Sequence, residues 1–342
     1  MTLSVLAIGD PHFKIENVPE VELFIDKIEK LAREKKPDLI ICLGDLLHTH
    51  ERIHTTPLNK AYEFIERMRK ITLTYVIVGN HDYIQNQQYL TENHWMNGMK
   101  EWDDVVIVDK VISYISNGIK LVFCPYVPPG RFEEALNTIQ QDWKDADCIF
   151  AHQEFYGCKM GAIISVDGDK WDLQNPFVVS GHIHSKQTPQ LNIYYTGSAM
   201  QHAFGESEKN IIAYIEFDAE KTRSIEEVDL QLPRKKIIYM NMDNIDKYTP
   251  PQESKDDVKI TLSGNYDEFK AFKKTEKYKQ LTGEGTKVVF KVKKEKGNEE
   301  RKINTDGCDF KTILHDLVND TENKQVLQFY ELIVNNKDVI IL

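Results

Sequence analysis

Short apolar runs along this chain end abruptly on Asp, Asn or His. Residues 3–8 run into Asp10-Pro11-His12, residues 39–43 into Gly44-Asp45, and residues 73–78 into Gly79-Asn80-His81-Asp82. Residues 148–151 stop at His152, and residues 177–180 at Gly181-His182-Ile183-His184. Apolar runs of about four to eight residues predict strands buried on both faces. Between the first three lie segments of helical period. Asn17-Val18-Pro19 opens one with Val21, Phe24, Ile25, Ile28 and Leu31 on one face, a proline being tolerated in the first turn. Pro37-Asp38 closes it. Thr56-Pro57 reads as an N-cap followed by proline at the first helical position, ahead of Ala61, Phe64, Ile65 and Met68. Strand, helix, strand, helix, strand predicts parallel pairing with right-handed crossovers.

The rhythm changes at Val105. Residues 105–108, 111–115 and 119–124 read as short strands parted by turns, with Asn117-Gly118 as a hairpin turn. They predict a second sheet, antiparallel or mixed. Residues 132–143 read as a helix leading to the strand that ends at His152, and residues 193–195 and 211–217 supply further strands. The count fits an α/β fold of two sandwiched sheets with helices outside better than one doubly wound sheet. Composition shifts at Leu232-Pro233-Arg234-Lys235-Lys236 and at Tyr248-Thr249-Pro250-Pro251-Gln252 set off a lysine-rich segment. There, Lys287-Val288-Val289-Phe290-Lys291-Val292-Lys293-Lys294 alternates apolar with basic, giving a basic strand face. Charge pattern weighs equally for a solvated face and a nucleic-acid surface. Residues 309–335 carry two amphipathic helical patterns that either complete the core or dock a partner. The expected divisions are a large α/β domain over 1–232, a small basic α+β domain over 233–304, and a helical segment over 305–342.

With 342 residues, 41% hydrophobic and 28% charged, the chain has room for an α/β domain and a smaller companion. No apolar run approaches the roughly 20 residues that cross a bilayer, so no membrane partner is expected. Residues 3–8 are too short for the apolar centre of a signal peptide and lack a basic lead-in. The cysteines, Cys42, Cys124, Cys148, Cys158 and Cys308, make no CxxC pair. Buried reduced thiols are expected, and with them an intracellular, cytoplasmic setting. A net charge of −11 argues against coating nucleic acid by charge alone, though not against a locally basic face.

Phosphoester hydrolysis needs an activated water, countercharge on phosphorus and in-line geometry. Two metal ions roughly 3.5–4 Å apart supply all three, with a bridging hydroxide as nucleophile. Asp45, at the tip of the central strand, is the natural bridge. Asp10, His12 and His184 complete one site; Asn80, His152 and His182 complete the other. Imidazole and carboxylate without thiolate favour Mn, Fe or Zn over Mg or Cu(I). Singly, each piece is weak, since Asp-x-His is commonly a turn and a lone strand-terminal His is more often a hydrogen-bonded core residue. The ordered set carries the reading. His50, His54 and His202 read as loop or supporting residues rather than ligands.

In content and order these motifs resemble the calcineurin-like metallophosphoesterase superfamily, over roughly residues 1–220. The resemblance implies its two-sheet sandwich. It also implies that His81 contacts the scissile phosphate and stabilises or protonates the transition state. Protein Ser/Thr phosphatases of the superfamily usually continue Gly-Asp-x-x-Asp-Arg-Gly, whereas this chain reads Gly44-Asp45-Leu46-Leu47-His48. A histidine three residues past the bridging aspartate is similar to the SbcD-type DNA-repair nucleases, relatives of the meiotic-recombination-eleven nuclease, where it assists near the leaving group. Pro125-Tyr126-Val127-Pro128-Pro129, Thr196-Gly197-Ser198 and Phe204-Gly205-Glu206 agree with that family, and residues 153–161 resemble its phage and viral members. This closer resemblance implies a Mn-dependent DNA exonuclease or endonuclease of repair or recombination, acting in the host cytoplasm if viral. It further implies a homodimer, a DNA-facing small domain, and C-terminal helices that dock an SbcC-type ATPase. Two rivals stand beside it: a phosphatase or phosphodiesterase on a nucleotide or small phosphoester, and a DNA-tethering scaffold with a vestigial site. His48 and the basic segment speak against the first, and the presence of every expected ligand against the second.

Overall fold

The computed structural model describes residues 2–50, 52–218, 220, 223–250, 255–283, 285–292, 310–319, 326 and 330. Two compact units are present, Met1–Lys291 and Val292–Leu342. The first begins with β1 (Leu3–Ile8), α1 (Val18–Lys35), β2 (Leu39–Cys42), α2 (Thr55–Arg69), β3 (Thr74–Ile77) and β4 (Val105–Val108). It continues through β5 (Ile112–Ser116), β6 (Ile119–Cys124), α3 (Phe132–Leu136), β7 (Cys148–His152) and a short hairpin, β8 (Lys159–Met160) and β9 (Ile163–Ile164). Then come β10 (Val178–Gly181), β11 (Gln187–Gln190), β12 (Ile193–Tyr195), β13 (Ile212–Phe217) and β14 (Arg223–Val228). Apart from β8 and β9, which pair only with each other, these strands form two six-stranded sheets, ordered β14-β13-β1-β2-β3-β4 and β11-β12-β10-β7-β6-β5. This is the expected α/β sandwich with helices on its outer faces.

Strand residues face alternate sides, and the alternation builds the layers. Leu3, Val5 and Ala7 of β1 meet Ile41, Tyr75, Phe123, Phe150 and Val179 between the sheets. Leu6, Ile8, Ile40, Cys42 and Val76 face the other way, onto Phe24, Ile25 and Ile28 of α1 and Phe64 and Ile65 of α2. Across the seam, Tyr75 and Phe123 stack at 4.2 Å, a contact that ties one sheet to the other. The Asn117-Gly118 turn joins β5 to β6 with both residues left-handed, as a two-residue hairpin requires.

Three local expectations are corrected. Val105–Val108 does not open the second sheet; it edges the first, parallel to β3. The crossover between them carries loops and a single 3-10 turn at Asn97–Glu101 instead of a helix, so the rhythm that signals parallel pairing is missing. The helix expected over 132–143 stops at Leu136. Thr138 Oγ1 donates to the Ala135 carbonyl and Asn137 Oδ1 accepts from the Trp143 indole, local bonds that compete with helix. Helix α2 starts at Thr55, with His54 at the cap. Pro57 lies inside the first turn, where its missing N–H has no helical partner to lose.

A separate three-stranded sheet comprises β15 (Lys235–Asn241), β16 (Asp257–Gly264) and β17 (Lys287–Val292). With α4 (Tyr266–Phe272) and α5 (Glu276–Gly283) it encloses Ile260, Leu262, Phe269, Phe272 and Leu281. The second unit contains α6 (Phe310–Asn319). Most of the second terminal helical pattern, residues 293–304 and Cys308 lie outside the described residues. The other four cysteines are free and buried. Among the described residues, no helix is long and apolar enough to cross a membrane.

Candidate metal centre

The carboxyl ends of β1, β2 and β3 from one sheet and of β7 and β10 from the other meet at one edge of the sandwich. Left-handed backbone is concentrated there: Asp10 (φ 37°), His12 (45°), Asp45 (50°) and His182 (79°) all adopt it. Such conformations cost on the order of 1–3 kcal/mol each and persist only where the surroundings over-determine them. Two glycines clear the space between. A Cβ on Gly44 (φ 107°) would strike the His152 imidazole, and one on Gly79 would strike the Asp45 carboxylate.

Asp45 Oδ2 stands 3.5 Å from His12 Nε2 and 3.4 Å from His152 Nε2, between two groups of side chains. On one side, His12 Nε2 faces His184 Nε2 at 3.0 Å. Asp10, fully buried, joins His12 and Asp45 in a set whose ligand atoms all lie within 4.8 Å of one another. On the other side, Asn80 Oδ1 is 2.9 Å from both His152 Nε2 and His182 Nδ1. All seven side chains expected as ligands therefore meet in one pocket, around Asp45.

The donor set fits divalent cations. His152 donates from Nδ1 to the Leu43 carbonyl at 2.7 Å, which leaves its Nε2 lone pair aimed at Asn80 Oδ1 and Asp45 Oδ2. Converging lone pairs repel unless a proton or a metal ion lies among them. Burial lowers the His152 imidazole, but Asp45 and Asp10 outweigh it and raise it to about 9. Burial also opposes ionisation of Asp45, yet His152 and His12 hold it well below the usual carboxylate range. Burial drives Asp10 up and His12 well down. Asp10 Oδ1 accepts from the His182 backbone N–H at 2.8 Å, while its buried Oδ2 has no partner. An orphaned carboxylate oxygen among converging imidazole nitrogens suits a bound cation, and the N/O set without thiolate suits Mn, Fe or Zn.

His81 and His48 sit beside this pocket, both half-buried. His81 donates from Nδ1 to the His48 carbonyl at 2.7 Å, which leaves Nε2 free, and its backbone N–H donates to Asp45 Oδ1 at 2.8 Å. The His48 ring stacks on His81 with centroids 5.5 Å apart, and its Nδ1 lies 3.4 Å from His12 Nδ1. His50 also stacks on His81, at 4.6 Å. Buried His202 faces the Asp10 carbonyl through Nε2 at 2.8 Å and supports that loop. Two further residues were not assigned roles from sequence. Asp82 accepts from Gly79 N, Leu47 N and Trp95 Nε1 at 3.0, 3.4 and 3.0 Å, tying the Asn80 loop to the Asp45 loop. Burial, then Asp45, raises its carboxyl to about 6. Glu206 lies 3.4 Å from His184 Nδ1. Both stand in recognisable motifs, but what they touch depends on loop packing.

A family model described as calcineurin-like phosphoesterase matches residues 3–186. The chain is 48% identical over 295 residues to the protein designated phosphoesterase 078R of Invertebrate iridescent virus 3, with 85% of each covered. It is also 48% identical over 278 residues to the one designated phosphoesterase 244L of Invertebrate iridescent virus 6, covering 79% of this chain and 97% of that relative. Among solved structures, an archaeal phosphodiesterase matches 66% of this chain and 100% of its own, at 13% identity and a TM-score of 0.36.

Proposed function

The chain belongs to the calcineurin-like phosphoesterase family, and from that premise we propose that this metallophosphoesterase is a DNA nuclease of the SbcD type. The observation that carries the reading is His48, three residues past Asp45, stacked on His81 and 3.4 Å from His12. The lysine-rich segment supports it. Between Lys259 and Lys291 there are eight lysines and four carboxylates, in a chain whose net charge is −11. Lys287 and Lys291 on β17 are exposed, and cationic side chains of this kind supply most of the affinity for a phosphate backbone.

In this reading Asp10, His12, Asp45 and His184 hold one divalent ion, and Asp45, Asn80, His152 and His182 the other, Mn being our proposed metal. Such a pair, when bound, supplies a nucleophile at neutral pH and countercharge for the phosphoryl group. The free Nε2 of His81 contacts a phosphate oxygen and stabilises charge as it builds. His48 protonates the departing oxygen. The same resemblance extends the proposal to a homodimer that works with an SbcC-type ATPase docked on the C-terminal segment, where α6 leaves Leu317 exposed.

The test compares linear DNA, a mononucleotide and bis-p-nitrophenyl phosphate in Mn2+. DNA cleavage is expected to exceed mononucleotide turnover. His48→Ala should slow DNA cleavage by about 10²–10⁴-fold but affect bis-p-nitrophenyl phosphate less, because p-nitrophenolate leaves without a proton. Rapid mononucleotide turnover beside little DNA cleavage would assign a small phosphoester as substrate instead. No turnover of any substrate would assign the scaffold.

A further inference from the structure

We propose that Glu206 is a positioning residue that orients His184, and that the small three-stranded sheet in turn fixes Glu206. The proposal rests on His184 as a metal ligand, not on DNA as the substrate. Glu206 Oε2 accepts from the backbone N–H groups of His202 and Ala203 at 2.8 and 2.9 Å, so the carboxylate is held from behind. Its Oε1 faces His184 Nδ1 at 3.4 Å. An imidazole whose Nδ1–H is directed at a carboxylate presents the lone pair of Nε2, and His184 Nε2 is the atom that faces His12 across the pocket.

The turn that carries Glu206 is gripped from the small sheet. Gln201, buried, donates from Nε2 to the Glu206 carbonyl at 3.1 Å and accepts at Oε1 from the Lys235 backbone N–H at 2.7 Å. The same amide reaches the Lys235 carbonyl at 3.4 Å. Lys235 is the first residue of β15. On β16, Lys259, which pairs with Ile237, lies over the Phe204 ring at 5.7 Å. Gly205, left-handed at φ 95°, is close to Ile237 of β15, whose Cδ1 would lie 3.9 Å from an added Cβ. Two strands of the small sheet thus bear on three consecutive residues, Phe204, Gly205 and Glu206. A tilt of that sheet is passed through Gln201 and Glu206 to one side of the metal centre and not to the other.

The experiment is calorimetric titration of Mn2+ alone into the full chain, with the melting midpoint of each variant read in parallel. Wild type is expected to take two ions. Glu206→Gln, equal in size but uncharged, should weaken one of the two sites by about 10–100-fold and leave the other unchanged. His184→Ala should weaken that same site. Glu206→Asp, which keeps the charge but withdraws it by one methylene, gives a second reading in the same direction should the amide variant fail to fold. Gln201→Ala should weaken the same site several-fold, and combining it with Glu206→Gln should add little, because both act through one contact. Wild-type affinity in both Glu206 variants overturns the positioning role. Unchanged affinity in Gln201→Ala overturns the link to the small sheet. A wild type that takes no ion, or a His184→Ala variant that binds normally, overturns the metal-centre reading and this proposal with it.

Discussion

Gly79→Ala tests the arrangement at its tightest point. The backbone at Gly79 is outside the left-handed region, so a methyl group there carries no conformational penalty of its own. Its cost is steric. The added carbon would overlap Asp45 Oδ1 and crowd the Asp45 backbone nitrogen. Restoring van der Waals contact requires the carboxylate to retreat by on the order of 1 Å, at about 1–3 kcal/mol of overpacking. Asp45 Oδ1 also accepts from the His81 N–H at 2.8 Å, so the retreat drags the His81 loop with it. A misplacement of that size at a reacting centre lowers the rate by about 10²-fold, or roughly 2.7 kcal/mol of barrier. The assay is kcat/KM on bis-p-nitrophenyl phosphate in Mn2+, with Mn2+ affinity measured alongside. Gly98→Ala is the control, since nothing lies within 4 Å of its added carbon, and it should be neutral. A Gly79→Ala enzyme with wild-type turnover and Mn2+ affinity would refute the placement of Asp45 at the centre of the site.

Other outcomes follow from the same contacts. Phe123→Ala, which empties a fully buried position stacked on Tyr75 between the sheets, should cost about 3–5 kcal/mol in urea denaturation; a loss under about 1 kcal/mol would count against the seam. Burial raises the Asp109 carboxyl, but hydrogen bonds from His94 and Lys100 outweigh it and bring it below its ordinary value. A depressed carboxyl contributes stability above its unfolded pKa and loses it as pH falls through the folded one. Asp109→Asn should therefore be destabilising at pH 7, with the gap to wild type closing as pH drops below about 4; urea midpoints against pH check this, and a gap that is constant with pH would contradict it. Stripping divalent ions with a chelator should lower the melting temperature. Restoring Mn2+ at a hundredfold excess over its Kd should return about 2.7 kcal/mol for each site filled, and a midpoint indifferent to both treatments would deny that the folded state binds the ion.

The side chains that meet in the pocket were legible because each lies within a few residues of the strand that places it. An apolar run that stops on Gly79-Asn80-His81-Asp82 states both where the chain turns and what it presents there. Helices α1 and α2 were legible for a related reason: Phe24, Ile25 and Ile28, and Phe64, Ile65 and Met68, repeat at a period that only a helix brings to one face. What escaped the sequence depends on partners far along the chain. The sheet to which Val105–Val108 belongs is decided by pairing with β3 across a crossover without helical period. The end of α3 is decided by side-chain bonds of Asn137 and Thr138 to neighbours. The grip of Gln201 on Lys235 spans 34 residues of sequence and ties the loop after β12 to the small sheet, and no local pattern announces it.

The pocket straddles a seam, drawing on three strands of one sheet and two of the other, the last of them ending at Gly181. A nascent chain emerging from the ribosome therefore has no complete cradle until more than half of its length has been made and both sheets have closed on each other. A cation that needs side chains from both sheets is held only by the finished sandwich, so its binding free energy adds to the stability of that state alone.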